Sequence, residues 1–160
     1  MLILNIHIKP YLAHFALKKY PSWKSGTVKF PAFSLMNTLL LQRLRQRPHH
    51  QPVPNGNLPV MLNEEKNVCK RTDVYNWISY HDEIVVERML RLYFDTEMHY
   101  YFERKRFRDG VEYQDSAELF IKEWGLNGLI EPEALLKKHV RWKKMLKEHR
   151  TGGEQTELNF

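Results

Sequence analysis

The chain is predicted to be a mostly helical α+β single domain, with a small N-terminal sheet and a helix-turn-helix-like pair near its C-terminal end. Three observations predict it. Short apolar runs bounded by proline or glycine recur only in the first 62 residues. From residue 80 onward, apolar residues instead recur every three or four positions. Two further helical patterns follow, separated by a turn holding Gly125 and Gly128. With 160 residues, 42% apolar and 12% aromatic, the chain can enclose a core without a disulfide or a metal. The expected organisation is one globular domain over 1–150 and a flexible tail over 151–160.

Taken in order, LILNIHI (2–8) reads as a strand leading into a helix that Pro10 opens, with Leu12, Phe15 and Ala16 on its inner side. GTVKFP (26–31) is a second strand candidate. Ser34 can cap a helix through LMNTLLLQRLRQR, with Leu35, Leu39, Leu40 and Leu44 at helical spacing and Arg43, Arg45 and Arg47 in its last turns. Three prolines and an Asn-Gly pair make residues 48–57 a loop. NLPVMLN is a third strand, which Pro59 should confine to an edge or an end of the sheet. A polar connection, EEKNVCKRTD, follows. Ser79 with Asp82 and Glu83 starts a long helix over 80–106. Its inner face is Val86, Met89, Leu90, Tyr93, Phe94, Met98, Tyr101 and Phe102, and Gly110 ends it.

In the last third, Asp115 with Glu118 resembles a capping box for a short helix that turns Ala117, Phe120, Ile121 and Trp124 inward. Gly125 ends that helix, and Glu131-Pro132-Glu133 opens the next. There Leu135, Leu136, Val140, Trp142 and Leu146 are the expected buried side. Val86, Leu90, Phe94, Phe120, Trp124, Leu136 and Val140 should share one core.

The net charge of +6 is unevenly spread. Residues 1–63 carry eight Lys or Arg and no acid, whereas 64–160 hold seventeen basic and nineteen acidic residues. Such segregation favours a polyanionic partner. The N-terminus lacks the layout of a signal peptide, and no run nears the length of a membrane span, so no membrane partner is expected. The lone Cys69 fits a reducing cytoplasm. No Gly-rich phosphate loop, nucleophile elbow, HExxH or paired CxxC occurs. Asp95 with His99 and Glu83 with Glu87 stand one helical turn apart, a spacing open to acid or metal chemistry but commoner in surface pairs. His49 and His50 lie together in the Pro-rich loop without Cys, Asp or Glu beside them. The reading is of a protein without catalysis, cofactor or metal.

On the last helix Lys137, Lys138, Arg141, Lys144 and Lys147 recur at steps of three and four. From 134 to 150, seven basic side chains face a single acid, Glu148. A helix solubilised by charge mixes signs, whereas one that contacts phosphates does not. A short helix, a turn and a basic second helix predict duplex DNA binding by a helix-turn-helix-like pair, with Arg43, Arg45 and Arg47 adding backbone contacts. A homodimer would fit paired half-sites. The alternative is a protein-interaction adaptor that uses the basic N-terminal half; an unrecognised nuclease-like enzyme ranks third.

IHIKPYLAHFALKKY, VKFP, NLPVMLNE, YNWISYHDEIVVERML and ALLKKHVRWKK together resemble a group of uncharacterised short bacterial proteins associated with prophage-like or other mobile elements. The resemblance covers most of the chain. It implies a DNA-related role by association and brings no substrate, cofactor or catalytic residue with it.

Overall fold

The computed structural model describes residues 2–63 and 71–157, with side chains to Thr151. Cys69, and with it most of the polar connection and the last three residues of the expected tail, lies outside that range. Among the described residues are β1 (Ile3–Ile6), α1 (Pro10–Lys19), α2 (Leu35–Arg43), β2 (Leu58–Met61), α3 (Tyr80–Asp109), α4 (Tyr113–Trp124) and α5 (Pro132–Glu157). The class is the predicted one: mostly helical α+β with a small antiparallel sheet. None of these helices is long and apolar enough to cross a membrane. The chain packs as two compact units, Met1–Asp95 and Thr96–Phe160. At 30 residues α3 is about 45 Å long, more than one small core can cover, and it contributes to both.

In the first unit β1 and β2 pair antiparallel, with Leu4 opposite Val60 and Ile6 opposite Leu58, all four buried. The predicted strand near 27–30 reduces to one residue. Val28 gives its N–H to the Pro59 carbonyl at 2.9 Å and accepts from Met61 at 2.7 Å, and those two bonds form its parallel bridge to Val60. β2 is therefore flanked on both sides despite its proline. Pro59 has no N–H to give, but only its carbonyl is needed there. Beyond β1, three successive N–H groups are met by side chains: His7 by Glu83 at 3.1 Å, Ile8 by Asn57 at 3.0 Å and Lys9 by Glu87 at 3.0 Å. Asn57 also donates its amide to the Ile8 carbonyl at 2.7 Å, so its side chain acts as a short piece of strand.

Pro10 opens α1, whose Leu12, Ala13, Phe15 and Ala16 are buried. Tyr11 and Phe15 meet Phe94 of α3 edge-on, at 5.1 and 5.3 Å between ring centroids. Ser34 caps α2 as expected, accepting from Asn37 at 3.1 Å. Two expectations for α2 are corrected. It ends at Arg43, because Leu44 turns extended and Arg45 exchanges backbone hydrogen bonds with Trp77 at 2.8 and 3.1 Å. Its buried side is Met36, Asn37 and Leu40, continued by Leu44, while Leu35 is exposed. Asn37 can be inside because its amide donates to the Ala32 carbonyl and its oxygen accepts from Asn63.

Ser79 starts α3 by accepting from the Asp82 N–H at 3.2 Å. Asp82 is itself buried, holding the Ser79 hydroxyl at 2.7 Å, Arg43 at 3.0 Å and Arg45 at 3.5 Å. Burial opposes its charge, but the Ser79 and Arg43 hydrogen bonds outweigh that and hold its pKa below the usual carboxylate range. Asp82→Ala is expected to cost the first unit about 2 kcal/mol in urea unfolding, through a Ser79 hydroxyl left without its acceptor and two unmatched guanidinium groups.

In the second unit Met98, Tyr101 and Phe102 of α3 are buried, as are Ala117, Phe120 and Ile121 of α4 and Leu135 of α5. The residues expected to share one core thus divide: Val86, Leu90 and Phe94 belong to the first unit and Phe120 to the second. Trp124 and Leu136 are half-buried and Val140 is exposed. α4 begins at Tyr113, before the expected capping box, so Asp115 lies in the first turn and Glu112 precedes the helix without a side-chain cap. Gly125 ends α4 at φ 65°, with Leu126 N–H returning to Ile121 and Gly125 N–H to Lys122. Leu126 is buried beneath this turn, and Pro132 then opens α5 as predicted. The helix continues through Thr151 to Glu157, where a tail was expected.

Candidate nucleic-acid interface and a buried histidine network

α5 sorts its side chains by helical position. Leu135, His139, Trp142 and Leu146, at steps of four, three and four, form the inner line, with the first two fully buried. The predicted inner side shared Leu135, Trp142 and Leu146 with this line but held Leu136 and Val140 in place of His139, so it is turned by about 40° around the helix. Val140, at 56% exposure, stands on the outer face instead. Around it Lys137, Arg141, Lys144 and Lys147 are exposed, and Lys138 is half-buried at the flank. One acid stands among them, Glu148, with its carboxylate 4.0 Å from the Lys144 ammonium. Four of the five cations predicted for this helix thus share one solvent face.

The three arginines of the N-terminal half are differently placed. Arg43 and Arg45 spend part of their charge on Asp82, and Arg45 and Arg47 lie beyond the end of α2. Arg47 is exposed, beside a hollow lined also by Asn5, Val53 and Asn76. The acids at the start of α3 thus answer the basic N-terminal half within one unit. Charge segregated along the chain is partly balanced in space.

The inner line of α5 holds a polar cluster that helix periodicity placed among apolar residues. His139 is fully buried, its Nε2 2.9 Å from Glu103 Oε1 and its Nδ1 2.9 Å from His99 Nδ1. Glu103 also accepts from the Tyr113 hydroxyl at 3.0 Å, and both its oxygens lie 3.2 Å from Lys143 Nζ. Burial disfavours the charge on Glu103, but the bonds from Tyr113, Lys143 and His139 outweigh it and keep its pKa below the usual range. Burial lowers the His139 pKa against the pull of Glu103, so His139 is neutral at pH 7.

Chemistry then assigns the hydrogens. An ionised carboxylate only accepts, so His139 donates from Nε2; its Nδ1 must accept, and His99 donates from Nδ1. His99 lies parallel to the Trp142 indole, 4.4 Å between centroids and 8° between planes. Asp95, the partner that sequence spacing offered to His99, is not the one that meets its Nδ1. The signal for His139 was present, since 135, 139, 142 and 146 form a regular inner line. An imidazole there is tolerated only because Glu103 and His99 satisfy both ring nitrogens.

Among the described residues no group of three or more His, Cys, Asp or Glu could hold a metal ion. His49 and His50 are exposed in their loop. No protein-family model, no curated protein and no solved structure matches this chain.

Proposed function

We propose that the protein binds duplex DNA through the outer face of α5. The observation that supports this most directly is the exposure of Lys137, Arg141, Lys144 and Lys147 on one helical face with a single acid among them. Elsewhere opposite charges lie closer: Arg91 on Glu87, Arg43 on Asp82, Lys143 on Glu103. The order of α4, turn and α5 is that of a helix-turn-helix, but the connection from Gly125 to Glu131 is seven residues long. Glu131 and Glu133 also make the first turn of α5 acidic. A helix inserted by its N-terminus would bring those carboxylates to phosphates. The side of the helix from Lys137 onward is therefore the contact, with the lysines on phosphates and Arg141 able to fork onto a guanine edge. A part in regulating or processing a mobile element would fit such a surface.

Salt-dependent titration of a labelled duplex tests the reading. Replacing Lys137, Arg141 and Lys144 together with Ala should weaken binding and flatten log K against log salt by about 0.9 for each phosphate no longer neutralised. All three are exposed, so circular dichroism and thermal unfolding should be unchanged. A wild type without duplex affinity at low salt, or a triple variant with an unaltered slope, would sink the proposal. A second reading, a protein-interaction adaptor, is favoured by Trp23 at 78% and Phe33 at 101% exposure in the first unit. It predicts a concentration-dependent association in sedimentation that Phe33→Ser abolishes.

A further inference from the structure

Thr96, His99, Tyr100 and Glu103 occupy one face of α3, at steps of three and four, and with Trp142 of α5 they line an open hollow of about 380 Å³. Three of its five walls are aromatic rings. Tyr100 is 61% exposed, and the Arg104 guanidinium lies over its ring at 5.6 Å. The one charged wall is Glu103. Its Oε1 already accepts from Tyr113 and His139, whereas Oε2 meets Lys143 at 3.2 Å and, with two lone pairs, has capacity for a further donor. Lys138 stands one turn before Trp142 on the same line of α5. The site thus offers flat apolar faces, a hydrogen-bond acceptor between them and cations at its margin.

We infer that this hollow receives one unstacked nucleobase of a single strand, its ring against Tyr100 and Trp142, an N–H of its Watson–Crick edge on Glu103, and its phosphates toward Arg104 and Lys138. The inference rests on the nucleic-acid reading of α5 and deepens it, because a duplex keeps its bases stacked and cannot fill the hollow. Charge complementarity favours this occupant. The carboxylate is matched by ring N–H or amino donors and the flanking cations by phosphates, and aromatic rings accept the π face of any base. Guanine, with N1–H and an N2 amino group on one edge, offers the most donors. A free cationic ligand would suit the rings and Glu103 but would meet Lys143, Arg104 and Lys138 beside them.

The test uses the full chain and fluorescence anisotropy of labelled 12-mers: a strand abasic except for a central dG, the same strand with a central dA, a strand abasic throughout, and a mixed-sequence duplex. The dG strand should bind about tenfold more tightly than the abasic strand, the contribution of one base stack. Tyr100→Ala, at an exposed position that leaves the fold intact, should remove that ratio and leave duplex binding unchanged. Tyr100→Phe should keep it. Glu103→Gln should reduce the preference for dG over dA at the central position.

Equal binding of the dG and abasic strands, with the duplex still bound, would overturn this inference alone. Binding of neither strand nor duplex at low salt would overturn the reading it rests on as well. Competition by tetramethylammonium without any base dependence would reassign the hollow to a cation and likewise overturn it.

Discussion

Gly56→Ala is expected to destabilise the first unit by about 3 kcal/mol, toward the upper end of what a backbone overlap costs. A Cβ at this position would run into the carbonyl carbon and oxygen of Ile6 and stand 2.7 Å from its nitrogen. These are backbone atoms, and Ile6 is held on both sides. It pairs with Leu58, and the next residues are bound by Glu83 and Asn57. The loop cannot retreat either, because Asn57, its neighbour, clasps Ile8 through two hydrogen bonds. Gly26→Ala is the control. Gly26 has φ 75° but open space around it, so that change costs only the left-handed backbone, about 1 kcal/mol. Urea unfolding of the two variants, with hydrogen exchange to locate the loss, checks the prediction. Equal effects would mean that the close approach to Ile6 carries no weight.

Glu103→Ala should cost the second unit a similar amount, about 3 kcal/mol, because it leaves the buried His139 N–H without an acceptor and Lys143 and Tyr113 without their shared partner. The same cluster predicts a pH dependence whose sign follows from two shifts. His139 has its pKa lowered by burial, so the unfolded chain takes up its proton first. Stability is full above about 6.5, the unfolded value, and falls as the pH drops below it. Glu103 is also lowered, so its contribution is present above about 4.5 and lost as the pH falls through its folded value. Both losses run in the acid direction, the histidine first. Once His139 is charged, both its ring nitrogens carry N–H, and its Nδ1 can no longer accept from His99. Thermal unfolding from pH 8 to pH 4 should show the decline beginning near 6.5 in the wild type. In His139→Gln the decline should begin only in the carboxylate range. A wild-type profile flat from pH 8 to pH 5 would contradict the assigned hydrogens.

Much of the element order was legible because local rules decide it. Pro10, Ser34, Ser79, Gly110, Gly125 and Pro132 act through their own backbone or their nearest neighbours, and each stands where its rule places it. The basic stripe of α5 was legible for the same reason: once a helix is given, spacing alone puts Lys137, Arg141 and Lys144 on one side. Spacing could not choose which side is buried. Leu136 and Val140 compete with His139 on hydropathy and win, yet His139 lies inside because Glu103, 36 residues earlier in α3, satisfies it. Arg43 and Arg45 likewise read as available charge until Asp82, 39 and 37 residues on, is folded against them. The strand expected at 27–30 shrank to Val28 because pairing depends on the partner's free edge, which no local pattern contains. Where helices begin and which cations share a face follow from backbone geometry over a few residues, so the order of amino acids is enough to settle them. Which polar groups are buried, which charges are answered and how two imidazoles share one proton were settled by packing, because each depends on partners that meet only once the chain has folded.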